Sequence, residues 1–303
     1  MRSLAIGDIH HYASPYLNGI RDGLARLGIP HWEIDIRRPA SAIARDIEET
    51  KPAIIWTHML LWPPTGSPRV DELVEIMERA ARAGSRIVIH DGDCKERTRH
   101  PHAIGSWCSL ALCNHTYDRD AWKVPTLRWP YFAPVQEHIA PASPTWACPL
   151  FFAGTLGSGP VYAARSALLD GIRARGIAIR TPTAADGNTL AHTPTIAASA
   201  EAVLGFGRPD ARGWTDTRVF QYPGAGGVLL HDDVQGWLEP WRHFVPYQSG
   251  NPDSVLDALE RLSALPAVEK RQIRERAFAY VQLHHSSVAR VQQVLESLNL
   301  SAA

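Results

Sequence analysis

Gly213-Trp-Thr215-Asp-Thr217-Arg218-Val-Phe220-Gln221-Tyr-Pro223-Gly224-Ala-Gly226-Gly227-Val228-Leu-Leu230 reads as a polar loop, a helical segment, a glycine stop and a buried strand. Thr215 and Thr217 are cap-type residues at the expected helix start, where unpaired backbone N–H groups and the helix dipole attract an anion. Arg218 and Gln221 are three positions apart, so on a helix they share one face beside that anion site. Gly224, Gly226 and Gly227 end the helix and permit close backbone approach ahead of the apolar run Val228–Leu230. A guanidinium that forks onto phosphate and an amide that bonds a ribose hydroxyl suit a nucleotide. The spacing alone fits equally well a surface helix that caps itself and packs on a sheet.

Outward from this stretch, strands and helices alternate. Upstream, Leu150–Ala153 reads as a strand leading into Gly154-Thr155-Leu-Gly-Ser-Gly159 and a helix from Val161 to Arg175 closed by Gly176. Ile177–Arg180 and Ala202–Phe206 read as further strands, with a short helix over Pro194–Ser199 between them. Downstream, Val245–Gly250 is expected to be a connection, Pro252–Ala264 a helix, and Pro266–Leu298 a helical tail interrupted near His284–Ser287.

The first half repeats the alternation. Ser3–Ile9, the alternating Trp32, Ile34 and Ile36, Ala53–Trp56 and Arg86–Ile89 read as strands, followed by Ser109–Asn114 and Thr126–Trp129. Between them, Leu17, Ile20, Leu24 and Leu27 lie at helical spacing after Ser14-Pro15, a helix is expected around Ala42–Glu49, and Val70, Leu73, Val74, Met77 and Ala80 form another. Gly28 and Gly84 stop two of these helices. Such alternation predicts right-handed βαβ units and parallel sheets. Pro130, Pro134, Pro141, Pro144 and Pro149 argue a stiff linker, with the boundary expected at Pro141–Pro149. The expected domains are 1–140 and 150–285, with a C-terminal helix over 286–303 packing back toward the first.

The 303 residues suffice for two domains of about 150 each. Apolar content of 45% and charged content of 20% are those of a soluble globular protein. A net charge of zero gives no electrostatic support for general nucleic-acid or membrane-surface binding. Cys94, Cys108, Cys113 and Cys148 have no zinc spacing and fit free thiols in a reducing cytoplasm. There is no signal peptide and no membrane-length apolar run, so a cytoplasmic location is expected.

Arg218-Val-Phe220-Gln221-Tyr-Pro-Gly-Ala-Gly226-Gly227 resembles the donor-site motif R-x-F-E-x-x-A-x-G-G of GT-B glycosyltransferases of the bacterial spore-maturation (CgeB)-like, group 1-like branch. Phe152-Ala-Gly154 followed by Arg165, Phe244-Val-Pro-Tyr247 and His285-Ser-Ser-Val-Ala-Arg290 extend the similarity over residues 150–298. In the first half it is fainter, carried by Asp91-Gly-Asp93 and Cys113-Asn-His-Thr-Tyr-Asp118. Two departures stand out: Gln221 replaces the glutamate that holds the ribose in that family, and Pro223 should kink or shorten the helix. The resemblance implies an α/β fold of two Rossmann-like domains facing across a cleft, the GT-B architecture. It implies a hexosyl- or pentosyltransferase that uses a nucleotide sugar, a UDP-sugar foremost, and needs no metal or other cofactor. Gly154, Thr155, Arg165, Thr215, Thr217, Arg218 and Gln221 are the expected donor-binding residues. The acceptor is a small molecule, a glycan or a modified nucleic acid.

Open α/β sheets bind ligands beyond the carboxyl ends of their strands. In the first half those ends bring Asp8, His10 and His11, then His58, then His90, Asp91 and Asp93 to one rim. If the anomeric centre is inverted, Asp8, His10 or Asp93 is the expected base, His10 foremost; His11, His58, His90 and Asp91 are acceptor-side candidates. Asp91-Gly-Asp93 matches the D-x-D metal pattern of another glycosyltransferase fold, a reading rejected because that site belongs to a single-domain arrangement. Gly154–Gly159 lacks the lysine of a Walker loop. Tryptophans such as Trp62, Trp107, Trp129, Trp214, Trp237 and Trp241 are expected in or near loops, where aromatics stack on sugars or bases or simply join the core. Three other readings compete: a same-fold enzyme acting on a modified DNA base, a nucleotide-sugar epimerase, and a non-catalytic nucleotide-binding protein.

Overall fold

The computed structural model describes residues 1–8, 15–58, 60, 63–91, 105–114, 122–154, 160–182, 186, 192–207 and 215–301. Its first strands and helices are β1 (Ser3–Gly7), α1 (Pro15–Arg26), β2 (His31–Asp35), α2 (Ala40–Thr50), β3 (Ile54–His58), α3 (Val70–Arg82), β4 (Arg86–Asp91), β5 (Leu110–Cys113) and β6 (Thr126–Arg128). Then come β7 (Cys148–Phe151), α4 (Pro160–Ala174), β8 (Ile179–Arg180), α5 (Thr193–Ser199), β9 (Ala200–Leu204), α6 (Arg218–Gln221), β10 (Leu229–His231) and β11 (Val245–Pro246). Helices α7 (Pro252–Ala264), α8 (Ala267–His285) and α9 (Ser287–Ser297) close the chain.

The chain divides into two compact units, Met1–Tyr131 with Ser287–Ala303, and Phe132–Ser286. The division falls between Pro130 and Pro134, ahead of the Pro141–Pro149 boundary expected from the sequence. The chain just past it is bonded into the second unit: the Ala133 amide donates to His285 O at 2.9 Å, and the Gln136 amide donates to Gln282 Oε1 at 3.1 Å.

In the first unit a six-stranded sheet runs β2-β1-β3-β4-β5-β6, with every pair parallel. β1, β3 and β4 are apolar through their centres because both faces are covered, as a parallel sheet requires. Leu4, Ile6, Ile55, Ile87 and Ile89 meet Ile43 and Ile47 of α2 and Leu73 and Met77 of α3 in one core. The alternation through edge strand β2 turns Ile34 and Ile36 into the core at 3% and 0% exposure, while Trp32 at the start of the strand is 42% exposed. Helix α9 packs on α1, where Gly23 leaves no room for a side chain against Ser287 O and Val291. The Trp129 indole donates to Arg290 O at 3.1 Å.

The second unit holds a five-stranded sheet ordered β11-β10-β9-β7-β8, again parallel. The segment expected to be a connection from Val245 begins with β11, an edge strand in register with Leu230 and His231. Leu150, Leu204, Leu230 and Val245 face Leu169 and Ile172 of α4 and Val255 and Leu259 of α7. Asn251 caps α7, its side-chain oxygen accepting from the Asp253 and Ser254 amides at 3.0 and 3.3 Å. In both sheets the second strand lies on one side of the first and the third on the other. The switch points are therefore the carboxyl ends of β1 and β3, and of β7 and β9.

Candidate functional site

At the second switch point, β7 runs out into Phe152-Ala153-Gly154 and β9 into Gly205-Phe206-Gly207. The motif stretch supplies the side chains that reach it. Pro223 has no amide to continue α6, so the helix ends at Gln221 after a single turn and a 3-10 turn follows over Pro223–Ala225. Gly226 then takes φ +82°, and its Cα lies against Ile139, a position where a side chain has neither the backbone nor the space.

The capping residue is not the one expected. Thr217 makes no capping bond, and the Thr215 hydroxyl accepts from the Trp237 indole at 3.0 Å. The buried Asp216 takes that place, its Oδ1 accepting from the Arg218 amide at 3.0 Å and the Thr217 hydroxyl at 3.2 Å. Its Oδ2 pairs with Arg218 Nη1. Burial raises the Asp216 pKa, but Arg218 and His231 outweigh it and hold the carboxyl below its usual range. A one-turn helix has little macrodipole, so attraction of an anion here falls to the guanidinium.

Arg218 is fixed at several points. Nε donates to Ala153 O at 2.5 Å, and Cζ stands 5.3 Å from the Phe152 ring centre. Nη2 lies so close to Gly154 that a side chain there would collide with it. From α4, the Arg165 guanidinium stands 5.6 Å from the Phe206 ring centre, over the residues that follow β9. Gln221 is half-buried, and its amide has no hydrogen-bond partner among the described residues. The structure thus brings Gly154, Arg165 and Arg218 to the ends of β7 and β9, with Gln221 on the same short helix as Arg218, while Thr155 lies outside the described residues.

Sequence reading missed the carboxylate that ties this rim together. Asp232 follows β10; its Oδ1 accepts from the Gly207 amide at 2.6 Å and its Oδ2 from the Ser249 hydroxyl at 2.7 Å. The Tyr247 hydroxyl donates to Gly205 O at 2.8 Å, so the ends of β9, β10 and β11 are bound to one another. The available signal was an Asp just past a buried strand, the same signal that selected Asp8.

At the rim of the first unit lies Asp8, one of the candidate bases. Both its oxygens are bound by Arg37, at 2.5 and 2.6 Å, and it is 1% exposed. A carboxylate held this way anchors the loop after β2. His58 and His90 are register partners on β3 and β4. Tyr16 stacks on His90 with ring centres 4.0 Å apart. Burial, with His58 close by, lowers the His90 pKa well below the ordinary value and keeps the imidazole neutral. Asp91 is buried as the last residue of β4. His10, His11 and Asp93 lie outside the described residues, as do Trp62 and Trp214, whereas Trp107 and Trp129 are core residues. A cavity of about 590 Å³ beside Ile47, Lys51, Ile76, Arg79 and Ser85 lies at the amino ends of the strands, away from both switch points. Among the described residues no group of three or more His, Cys, Asp or Glu could hold a metal ion. The described cysteines are free thiols, and no described helix is long and apolar enough to cross a membrane.

The chain is similar to known proteins in part of its sequence and in its fold. Residues 186–296, which carry α6 and its motif, match a family described as glycosyl transferase-like. No curated protein sequence matches the chain. Among solved structures, a glycosyltransferase from Rickettsia africae superposes with TM-score 0.62 at 8% identity, covering 98% of this chain and 97% of that one. The DNA-modifying enzyme β-glucosyltransferase, solved with and without its substrate uridine diphosphoglucose, gives 0.60 at 11% identity over 99% and 100%. An Escherichia coli structure described as trehalose-6-phosphate bound with UDP-2-fluoro glucose gives 0.58 at 11% identity over 98% and 99%. The fold is therefore GT-B, two Rossmann-like units with parallel sheets, in the company of glycosyltransferases.

Proposed function

We propose that the chain is a glycosyltransferase that moves a hexosyl or pentosyl group from a nucleotide sugar, a UDP-sugar foremost, to an acceptor without a metal ion. The observation that carries this reading is Arg218, pinned between Ala153 O and Asp216 at the β7/β9 switch point with Gln221 one turn along the same helix. The guanidinium faces the diphosphate and takes over the charge stabilisation that a cation supplies elsewhere. Arg165 is a second phosphate contact, and Gln221 holds the ribose with one bond accepted and one donated. Gln221 and the proline-shortened helix depart from the spore-maturation-like pattern, so the group 1-like assignment is the broader one we favour.

On the acceptor side, His10 or Asp93 is the base if the anomeric centre inverts, since Asp8 is committed to Arg37. His11, His58, His90 and Asp91 are proposed to line the acceptor. The acceptor is a small molecule or glycan: a net charge of zero does not favour a nucleic-acid acceptor. Thermal-shift screening against a panel of nucleotide sugars, followed by assay of nucleoside diphosphate release, tests the reading. Stabilisation by a nucleotide sugar with turnover supports it. Stabilisation without turnover on any acceptor would instead indicate a nucleotide-binding protein.

A further inference from the structure

In the reading above Asp216 serves only to pin Arg218, and its surroundings assign it more. Oδ2 meets Arg218 Nη1, while the Ala153 carbonyl takes the hydrogen of Nε at 2.5 Å. Two fixed edges define the plane of a guanidinium. Of its five N–H donors, those on Nη2 have no partner among the described residues, and this edge lies along Gly154. The carboxylate also offsets the positive charge that a diphosphate would meet. A second carboxylate, the half-buried Asp232, is close enough to act with Asp216 on Tyr247, and His231 stands beside Asp232 with Nδ1 3.2 Å from Oδ1. One buried acid, Asp216, thus both caps α6 through the Arg218 amide and pairs with the Arg218 cation.

We propose that Asp216 is a positioning residue for the leaving diphosphate. It fixes the plane of Arg218 so that the Nη2 edge meets the phosphate, and it tempers the charge of Arg218 so that the nucleoside diphosphate is released after transfer. This proposal rests on the glycosyltransferase reading.

The test is Asp216→Asn, alone and combined with Arg218→Lys, with UDP affinity measured by calorimetry and transfer rate measured at saturating donor. Asparagine caps a helix as well as aspartate does, so α6 is retained. The expected result is UDP binding about tenfold tighter with transfer slowed by roughly ten- to a hundredfold. The slowing should shrink in the Arg218→Lys background, because the lysine has no plane for Asp216 to fix. Weaker UDP binding, no change in either quantity, or an equal slowing in both backgrounds overturns the proposal. If the wild-type protein binds no nucleoside diphosphate, the functional reading falls and takes the proposal with it. If it binds and Asp216→Asn changes nothing, only the proposal falls.

Discussion

Arg218 donates through Nε to the carbonyl oxygen of Ala153 at 2.5 Å, joining α6 to the residues that leave β7. The bond spans 65 positions of sequence and aims the one guanidinium of the motif at the switch point of its sheet.

Gly154→Ala tests how closely that guanidinium is seated. The methyl group would press on Arg218 Nη2 and the Phe152 ring. Arg218 is held at Nε and Nη1 and cannot swing aside without breaking those bonds. UDP affinity should fall by about ten- to a hundredfold, the worth of one charge-assisted contact, in a protein that still folds. Unchanged affinity by calorimetry would mean that the phosphate does not use this edge.

Gln221→Glu tests the ribose role. A glutamate accepts from both ribose hydroxyls with charge assistance, so donor affinity should hold or tighten by up to about tenfold. Loss of binding for ribose and 2′-deoxyribose nucleotides alike would remove Gln221 from the ribose site.

Activity should persist in chelator. Charge stabilisation is proposed to fall to Arg218 and Arg165, so ethylenediaminetetraacetate should leave turnover within about twofold of its value with magnesium. Loss of turnover, restored by magnesium or manganese, would bring Asp91 and Asp93 forward as ligands.

Stability should fall in mild acid. Burial, aided by the nearby Arg21 charge, brings the His31 pKa down to about 4 in the folded chain, against 6.5 unfolded. Between these values the unfolded chain binds more protons. Folding stability therefore rises with pH across that window and is lost as pH falls below 6.5, by about 3 kcal/mol in full. His90, lowered in the same direction, adds to the loss. Urea midpoints at pH 7 and pH 4.5 should differ more for wild type than for His31→Gln. An equal difference in both would exclude His31 as a source.

Local signals made most of the fold legible. Gly28, Gly84 and Gly176 end their helices with φ of +69°, +100° and +84°, the conformation that makes glycine a stop signal. The limits of α7 follow directly from Asn251-Pro252 at one end and Leu265-Pro266 at the other. Edge strands β2 and β6 and the two-residue β8 were legible, whereas β11, two residues ending in a proline, read as a connection. Of the proposed donor site, the sequence offers Arg218 and Gln221, whose types and spacing carry the chemistry. Asp216 was passed over between two threonines with the stronger look of caps, since its value depends on where Arg218 is held by the distant Ala153. Asp8 looked like a base because its partner, Arg37, lies 29 positions on, at the end of another strand.

The most direct test of the central claim is calorimetric titration of UDP and UDP-sugars into the wild-type protein and Arg218→Lys. Lysine is the better probe than alanine, because Arg218→Ala would leave Asp216 buried without a counter-ion and cost about 3–5 kcal/mol of stability. Lysine keeps the charge and loses the planar fork. The account predicts saturable, chelator-insensitive binding to wild type and an affinity roughly tenfold or more lower for Arg218→Lys, at equal folded fraction. Equal affinity in the two proteins, or no nucleotide binding by the wild type, would contradict it.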